Sequence, residues 1–365
     1  MSDTNSVHTH YEKPKILLIG MRRSGKTSIR KVVFEKAAPN ETLNLESTHK
    51  IEINDICSCS FIQFDLMDLP GQGTFATNIL NSSGILNSSC ALIFVIDAQD
   101  DYIEALKMLN DAIATAYRLN HRIKFEVFIH KVDSLSEENK IDIQRDIAQR
   151  VNSVNEELLY DAQTLGNTLA QGISIGFHLT TIYDHSIFEA FSKVVQKLIP
   201  FLDAFENLLN IFISSSSIEK AFLFDVTSKI YLATDTYSND MQIYEQCCDM
   251  IDVIVDISTI YSRPQDNQLA STPTTTDTPR HFSENTQSII TLNNETVLYF
   301  RGVNQYMALV CQMKEEALDK IGIIDFNFQI VKNSLQKMLR VNEEQIFKDT
   351  KSIIDNFESQ AIISS

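Results

Sequence analysis

Gly20-Met21-Arg22-Arg23-Ser24-Gly25-Lys26-Thr27 is a complete G-x-x-x-x-G-K-[ST]. The apolar run Ile16-Leu17-Leu18-Ile19 precedes it, and Ser28 to Phe34 follows with apolar residues at helical spacing. Strand, glycine loop and helix therefore stand in the order that a phosphate-binding loop requires. There a diphosphate lies against successive backbone N–H groups at a helix N-terminus, where unpaired donors and the helix dipole both favour an anion. The candidate phosphate-binding residues are Arg22, Arg23, Ser24, Gly25, Lys26, Thr27 and Ser28. Lys26 is expected between the β- and γ-phosphates, which also makes it a catalytic candidate, and the Thr27 hydroxyl is expected on Mg²⁺. An ordinary glycine turn is the competing reading. Only 10 of 365 residues are Gly, and the strand–helix setting favours the nucleotide.

Moving outward, Leu66-Met67-Asp68-Leu69-Pro70-Gly71-Gln72 ends a strand about 40 residues downstream, the usual distance to the next phosphate-side element. Asp68 at that strand tip can hold Mg²⁺ through water, the Gly71 N–H can approach a γ-phosphate, and Gln72 can orient an attacking water. His130-Lys131-Val132-Asp133 closes a further strand. The Asp133 carboxylate can accept from both N1–H and the exocyclic amine of guanine, a donor pair that adenine lacks. The Lys131 stem can cover the base. By itself His-Lys-x-Asp reads as a surface loop, but here it stands third in a correctly ordered set. Thr181 and Ile182, after the last strand of this half, are a softer base-side element.

The remaining pattern is consistent with these motifs. Strands are expected at Ile51–Asp55, Phe61–Asp68, Cys90–Asp97, Phe125–His130 and Ile173–Thr181. Helices are expected over Tyr102–Leu119, after Ser136 and after Asp184. Strands alternating with helices imply a doubly wound, mostly parallel sheet with ligands at the strand C-terminal ends. Beyond Pro200 the composition changes. Ala221–Val226 and Lys229–Thr234 read as a hairpin, Tyr244–Ile260 as a helix, and Ser288–Leu292, Thr296–Arg301 and Tyr306–Cys311 as strands, before a long helix from about Phe326. The division expected is a disordered tail over 1–13, a nucleotide-binding domain over 14–200, and a smaller α/β domain over 201–341. That second domain carries a disordered insert at 262–284, and a C-terminal helix or tail occupies 342–365. The second half holds no chemical constellation, which favours an interaction surface over a second active site.

Composition sets outer limits. A net charge of −17 disfavours sequence-independent binding to nucleic acid or anionic lipid. The six cysteines have neither zinc-ligand spacing nor the density of a disulfide scaffold, so reduced thiols are expected. No secretory leader, membrane span or lipidation signal is legible, so membrane residence is expected only through a partner.

The longer words are more specific than the generic motifs. Besides the loop at 20–27, these are Asn40-Glu41-Thr42-Leu43-Asn44-Leu45-Glu46-Ser47-Thr48, Asp68–Gln72, Val95-Ile96-Asp97-Ala98-Gln99-Asp100-Asp101-Tyr102, Phe128–Asp133, Ile182–Ser192 and Ile218–Val226. Together they resemble the Rag GTPases of the C/D type, over roughly residues 14–340. The His at 130, in place of the commoner Asn, is what that subgroup carries.

The resemblance implies a Ras-like P-loop GTPase domain followed by a roadblock-like dimerisation domain, with GTP or GDP and Mg²⁺ as ligands. It implies that Thr48 is the switch threonine that ligates Mg²⁺; on the residues alone Thr42 is an equal candidate for the nucleotide site. It further implies a heterodimer with an A/B-type Rag through the C-terminal domains, recruitment by a scaffold complex, and a GTPase-activating protein. Its expected place is the cytoplasm and the cytosolic face of the vacuole or lysosome, with the nucleus as a further one. There it would report amino-acid sufficiency to the target-of-rapamycin kinase complex. Two places depart from the pattern: Gly73–Gly84 lacks the acidic and aromatic residues expected of a second switch, and Met67 replaces the usual Trp. A nucleotide-holding scaffold without catalysis is therefore the alternative reading. A small-substrate kinase using ATP is a weaker one, since no arginine-rich lid is present.

Overall fold

The computed structural model describes residues 14–59, 62–71, 85–164, 173–199, 202–235, 241–261 and 283–338. The first half is a six-stranded sheet. Its strands are β1 (Lys15–Gly20), β2 (Glu52–Cys59), β3 (Ile62–Asp68), β4 (Ser89–Asp97), β5 (Lys124–His130) and β6 (Ile175–Thr180). They lie in the order β2-β3-β1-β4-β5-β6. All neighbours are parallel except the β2–β3 pair.

The apolar runs are continuous because the sheet is covered on both faces. Ile16 and Leu18 of β1 point into one buried cluster, Leu17 and Ile19 into the other. The first face carries α1 (Lys26–Glu35) and α5 (Ser186–Gln196); the second carries α3 (Ile103–Leu119) and α4 (Glu137–Thr164). A single helical turn, α2 (Ile85–Ser88), leads into β4. Asp184 accepts the Ser186 N–H at 2.8 Å and so helps to start α5.

The second half is a separate antiparallel sheet, β8-β7-β11-β10-β9. Its strands are β7 (Lys220–Asp225), β8 (Tyr231–Thr234), β9 (Gln287–Thr291), β10 (Thr296–Gly302) and β11 (Met307–Lys314). The expected hairpin is present. Asp225 Oδ2 accepts from both the N–H and the hydroxyl of Ser228 in its turn, at 2.8 and 2.5 Å. On one face lie α6 (Leu202–Ser216) and the helix α8 (321–338); on the other lies α7 (Met241–Tyr261). Two details correct the sequence reading. No element was expected between Pro200 and Ala221, where α6 stands. The last helix begins five residues earlier than expected, after a 3-10 turn at Glu315–Lys320. No described helix is long and apolar enough to cross a membrane. The tail at 1–13, nearly all of the insert at 262–284 and the segment 342–365 lie outside the described residues.

Helix α5 joins the halves. Its Ser192 Oγ accepts the Tyr231 N–H of β8 at 3.0 Å, and one buried cluster runs from Ile16 and Phe191 through Leu209 and Leu223 to Leu335. Cys90, Cys247, Cys248 and Cys311 are free thiols.

Candidate nucleotide-binding site

The C-terminal ends of β1, β3, β4, β5 and β6 meet around one cavity of about 950 Å³. That is where a doubly wound sheet places its ligands. Arg22, Arg23, Gly25, Lys26, Thr27, Ser28, Thr42, Thr48, Gly71, His130, Lys131, Asp133, Thr181 and Ile182 all line it. Ser24 and Asp68 do not, because both side chains are buried. Gln72 and the diverged stretch that follows it lie outside the described residues.

Neighbouring segments press closely on the loop between β1 and α1. Gly25 has φ 100°, a left-handed conformation that side chains resist, and a Cβ there would stand 2.6 Å from His130 Cδ2. A Cβ on Gly71 would stand 2.6 Å from the Arg22 backbone nitrogen, so the β3 loop approaches the phosphate loop to backbone contact. Lys26 Nζ donates to the carbonyls of Gly20 and Met21 at 3.0 and 2.9 Å. Burial lowers its pKa to about 8, and the nearby Asp68 charge opposes that shift.

Three side-chain oxygens that could hold a cation converge at the α1 N-terminus. Thr27 Oγ1 donates to Asp68 Oδ2 at 2.6 Å and lies 2.9 Å from Thr48 Oγ1. Burial raises the Asp68 pKa, against the pull of the Thr27 hydrogen bond, Lys26 and Arg30. Its Oδ1 is buried with no hydrogen-bond partner. One carboxylate with an unused oxygen and two hydroxyls suit Mg²⁺ that keeps waters and phosphate as its other ligands. Among the described residues no group of three or more His, Cys, Asp or Glu could hold a metal. Thr42 stands in a 3-10 turn (Pro39–Thr42) with Oγ1 donating to the Pro39 carbonyl. It lines the cavity but is not in that trio.

At the other end, Thr181 Oγ1 donates to Asp133 Oδ1 at 3.1 Å. Lys131 turns the chain after β5 with φ 63°, and its Nζ reaches the Arg23 carbonyl at 2.8 Å and Asp97 Oδ2 at 2.5 Å. This ties the base side to the phosphate loop. His130 is buried, and its Nδ1 pairs with Thr180 Oγ1 at 3.0 Å. Burial and then the Lys131 charge lower its pKa to about 4, so the imidazole is neutral in ordinary buffers and packs against Gly25.

Sequence reasoning did not single out Asp97 and Gln99. Gln99 lines the cavity and donates to the Lys131 carbonyl at 2.8 Å. Their position at the end of β4 (Asp97) and two residues beyond it (Gln99), at the strand tips, is the signal that could have found them. It also passed over Ser47, whose Oγ accepts from Arg22 Nη2 at 3.1 Å across the cavity mouth.

A family model described as the Gtr1/RagA G protein conserved region matches residues 15–251. The chain is 51% identical over 329 residues to the Ras-related GTP-binding protein C of Homo sapiens, covering 90% of this chain and 77% of that protein. It is 48% identical over 324 residues to the GTP-binding protein gtr2 of Schizosaccharomyces pombe, covering 89% of this chain and 97% of that one. With the GTP-binding protein GTR1 of Saccharomyces cerevisiae the identity is 22% over 230 residues, 62% of this chain and 70% of that one.

Proposed function

The chain belongs to the Gtr1/RagA family of G proteins, and from that premise we propose that it is the C/D-type subunit of a guanine-nucleotide switch. It binds GTP and hydrolyses it slowly. The observation that carries this reading is one cavity lined at one end by Thr27 and Thr48, with Thr27 bonded to the buried Asp68, and at the other by the Asp133–Thr181 pair.

In this reading the amides of residues 22–27 bind the diphosphate, and Lys26 leaves the loop carbonyls for the β- and γ-phosphates. Asp133 accepts the two donors of guanine while Lys131 covers the base. Thr27, Thr48 and Asp68 would hold Mg²⁺, which would supply positive charge to offset that of the phosphates. Gln72 aligns water for attack on the γ-phosphate. Phosphoryl transfer needs little covalent help from protein, so positioning and charge are what the site contributes. With no arginine of this chain assigned to the transferring group, turnover is slow until an activating protein supplies one. The segments carrying Thr48 and Gln72 are the switch, ordered by the γ-phosphate and released after hydrolysis.

The second domain is the partner surface. Val253, Ile257, Ile260 and Tyr261 form an exposed apolar stripe on α7, and β9 is an edge strand. An open edge beside an apolar helix stripe suits a second domain of the same architecture, here that of an A/B-type Rag. Ile323, Phe326 and Ile330 make another exposed stripe on α8, suited to a scaffold complex on the vacuolar or lysosomal surface. From there the heterodimer reports amino-acid sufficiency to the target-of-rapamycin kinase complex.

The test is the heterodimer purified with its A/B-type partner, its nucleotide content determined by chromatography after denaturation, followed by single-turnover hydrolysis. About one guanine nucleotide per chain and phosphate release accelerated by an activating protein are expected. Adenine nucleotide instead would end this reading. Guanine nucleotide with no release over hours, even with the activating protein, would make the chain a nucleotide-holding scaffold.

A further inference from the structure

The cation trio rests on a buried charge that nucleotide chemistry does not require. Arg30 lies one turn beyond Lys26 on α1, and its side chain is only 5% exposed. It donates to Glu52 Oε2 at 2.6 Å and to Glu35 Oε1, and its Nε stands 3.9 Å from Asp68 Oδ2. Glu52 and Asp68 are direct partners across the β2–β3 ladder. Like charges in directly opposed strand positions repel, and Arg30 is the cation between them. Arg30 Nε and Asp68 Oδ1 are both buried without a hydrogen-bond partner, so each half of this pair has unspent capacity.

We infer that Arg30 is a positioning residue, an internal counter-cation that shares Asp68 with the divalent ion and is held back from it by Glu52 and Glu35. The inference rests on the switch reading above. A guanidinium and Mg²⁺ near one carboxylate repel each other, so whatever brings Arg30 closer to Asp68 weakens the metal. Without the metal, Arg30 Nε can close the remaining gap and add its charge to the Lys26 charge and the Thr27 hydrogen bond that already offset the buried carboxylate. Glu52 pulls the other way. It opens β2 four residues after Thr48, so displacement of the Thr48 segment changes one of the partners that restrain Arg30. The state of the switch and the strength of the metal site are thereby linked through one side chain.

The experiment is release of fluorescent GDP from the full-length protein over a series of free Mg²⁺ concentrations. For the wild type, release should accelerate as Mg²⁺ falls, which defines a midpoint. Arg30→Gln removes the competing cation and should lower that midpoint by about fivefold. Glu52→Gln removes one of the two carboxylates that hold Arg30, leaving Glu35, and should raise the midpoint. Arg30→Lys, which keeps the charge, should stay nearer the wild type than Arg30→Gln. Glu52 is half exposed, so its variant supplies the test even if Arg30→Gln does not fold, and an unmoved midpoint in Glu52→Gln then overturns the inference. Midpoints equal to the wild type in folded Arg30→Gln and Glu52→Gln overturn it alone. Wild-type release indifferent to Mg²⁺ overturns the switch reading and this inference with it.

Discussion

Lys26 carries a charge that its own surroundings disfavour. Burial holds its pKa near 8 rather than 10.5, with Asp68 as the opposing influence. A bound diphosphate adds negative charge at hydrogen-bond range and must raise that value. Between the two pKa values the complex binds more protons than the free protein, so affinity for GDP falls as pH rises above about 8 and is flat in this group below it. Calorimetry in two buffers of different ionisation enthalpy should find almost no proton uptake at pH 7 and up to about one proton at pH 9. At the base end, Asp133→Asn turns one acceptor into a donor. We expect GTP affinity to fall by at least about tenfold and xanthosine triphosphate to gain, measured by competition against fluorescent GDP. Equal loss of both would mean an unfolded site. At this scale the sequence carried the residue types and spacing, but it left Thr42 and Thr48 equal, because a loop without periodicity fixes no distance. Only the fold puts Thr48, six residues on, at 2.9 Å from Thr27 Oγ1.

Elements follow from burial, and so does what could be read of them. Strands β1, β4 and β5 were legible because they are covered on both faces and so carry unbroken apolar runs. Helix α6 was not. Pro200 signals a break just before it, and Ser214-Ser215-Ser216-Ser217 at its end reads as a linker. In the fold Ser214 and Ser215 return their hydroxyls to the carbonyls of Ile211 and Phe212, which lets serines sit in a helix. Its apolar residues Phe205, Leu209, Phe212 and Ile213 were at helical spacing throughout. Helix α8 hid its first turn behind Gly322, a weak helix former. The element with most at stake is α5. Phe191 packs edge-on against Phe34 at the end of α1 and Phe128 of β5, with ring centroids 5.2 and 5.3 Å apart. Phe191→Ala should cost about 3–5 kcal/mol in urea denaturation. Because Phe34 belongs to the helix that starts at the phosphate loop, the same variant should release GDP faster even while folded.

At the scale of the whole molecule, one buried cluster links the nucleotide half to the second sheet, while the outer helices of that sheet remain apolar toward solvent. The α7 side chains divide by helical phase. Tyr244, Cys247, Cys248, Ile251 and Ile254 are buried on one stripe, while on the other Met250 is buried and Val253, Ile257, Ile260 and Tyr261, further along, are in the open. Helical spacing made α7 legible as a helix, but two apolar stripes on one helix look like a single broad one until the sheet shows which is occupied. The exposed stripe adds little to the stability of this chain alone, so a charge placed in it separates assembly from folding. For Ile257→Asp, thermal melting of the isolated chain should shift by no more than about 0.5 kcal/mol in stability, as for surface positions away from the core. Mixed with the A/B-type partner, the same variant should sediment largely as monomers where the wild type forms a heterodimer, since a charge desolvated at an interface centre costs about 2 kcal/mol or more. A heterodimer of undiminished affinity would move the interface off α7. A monomer that melts earlier would instead mean that Ile257 packs within its own chain.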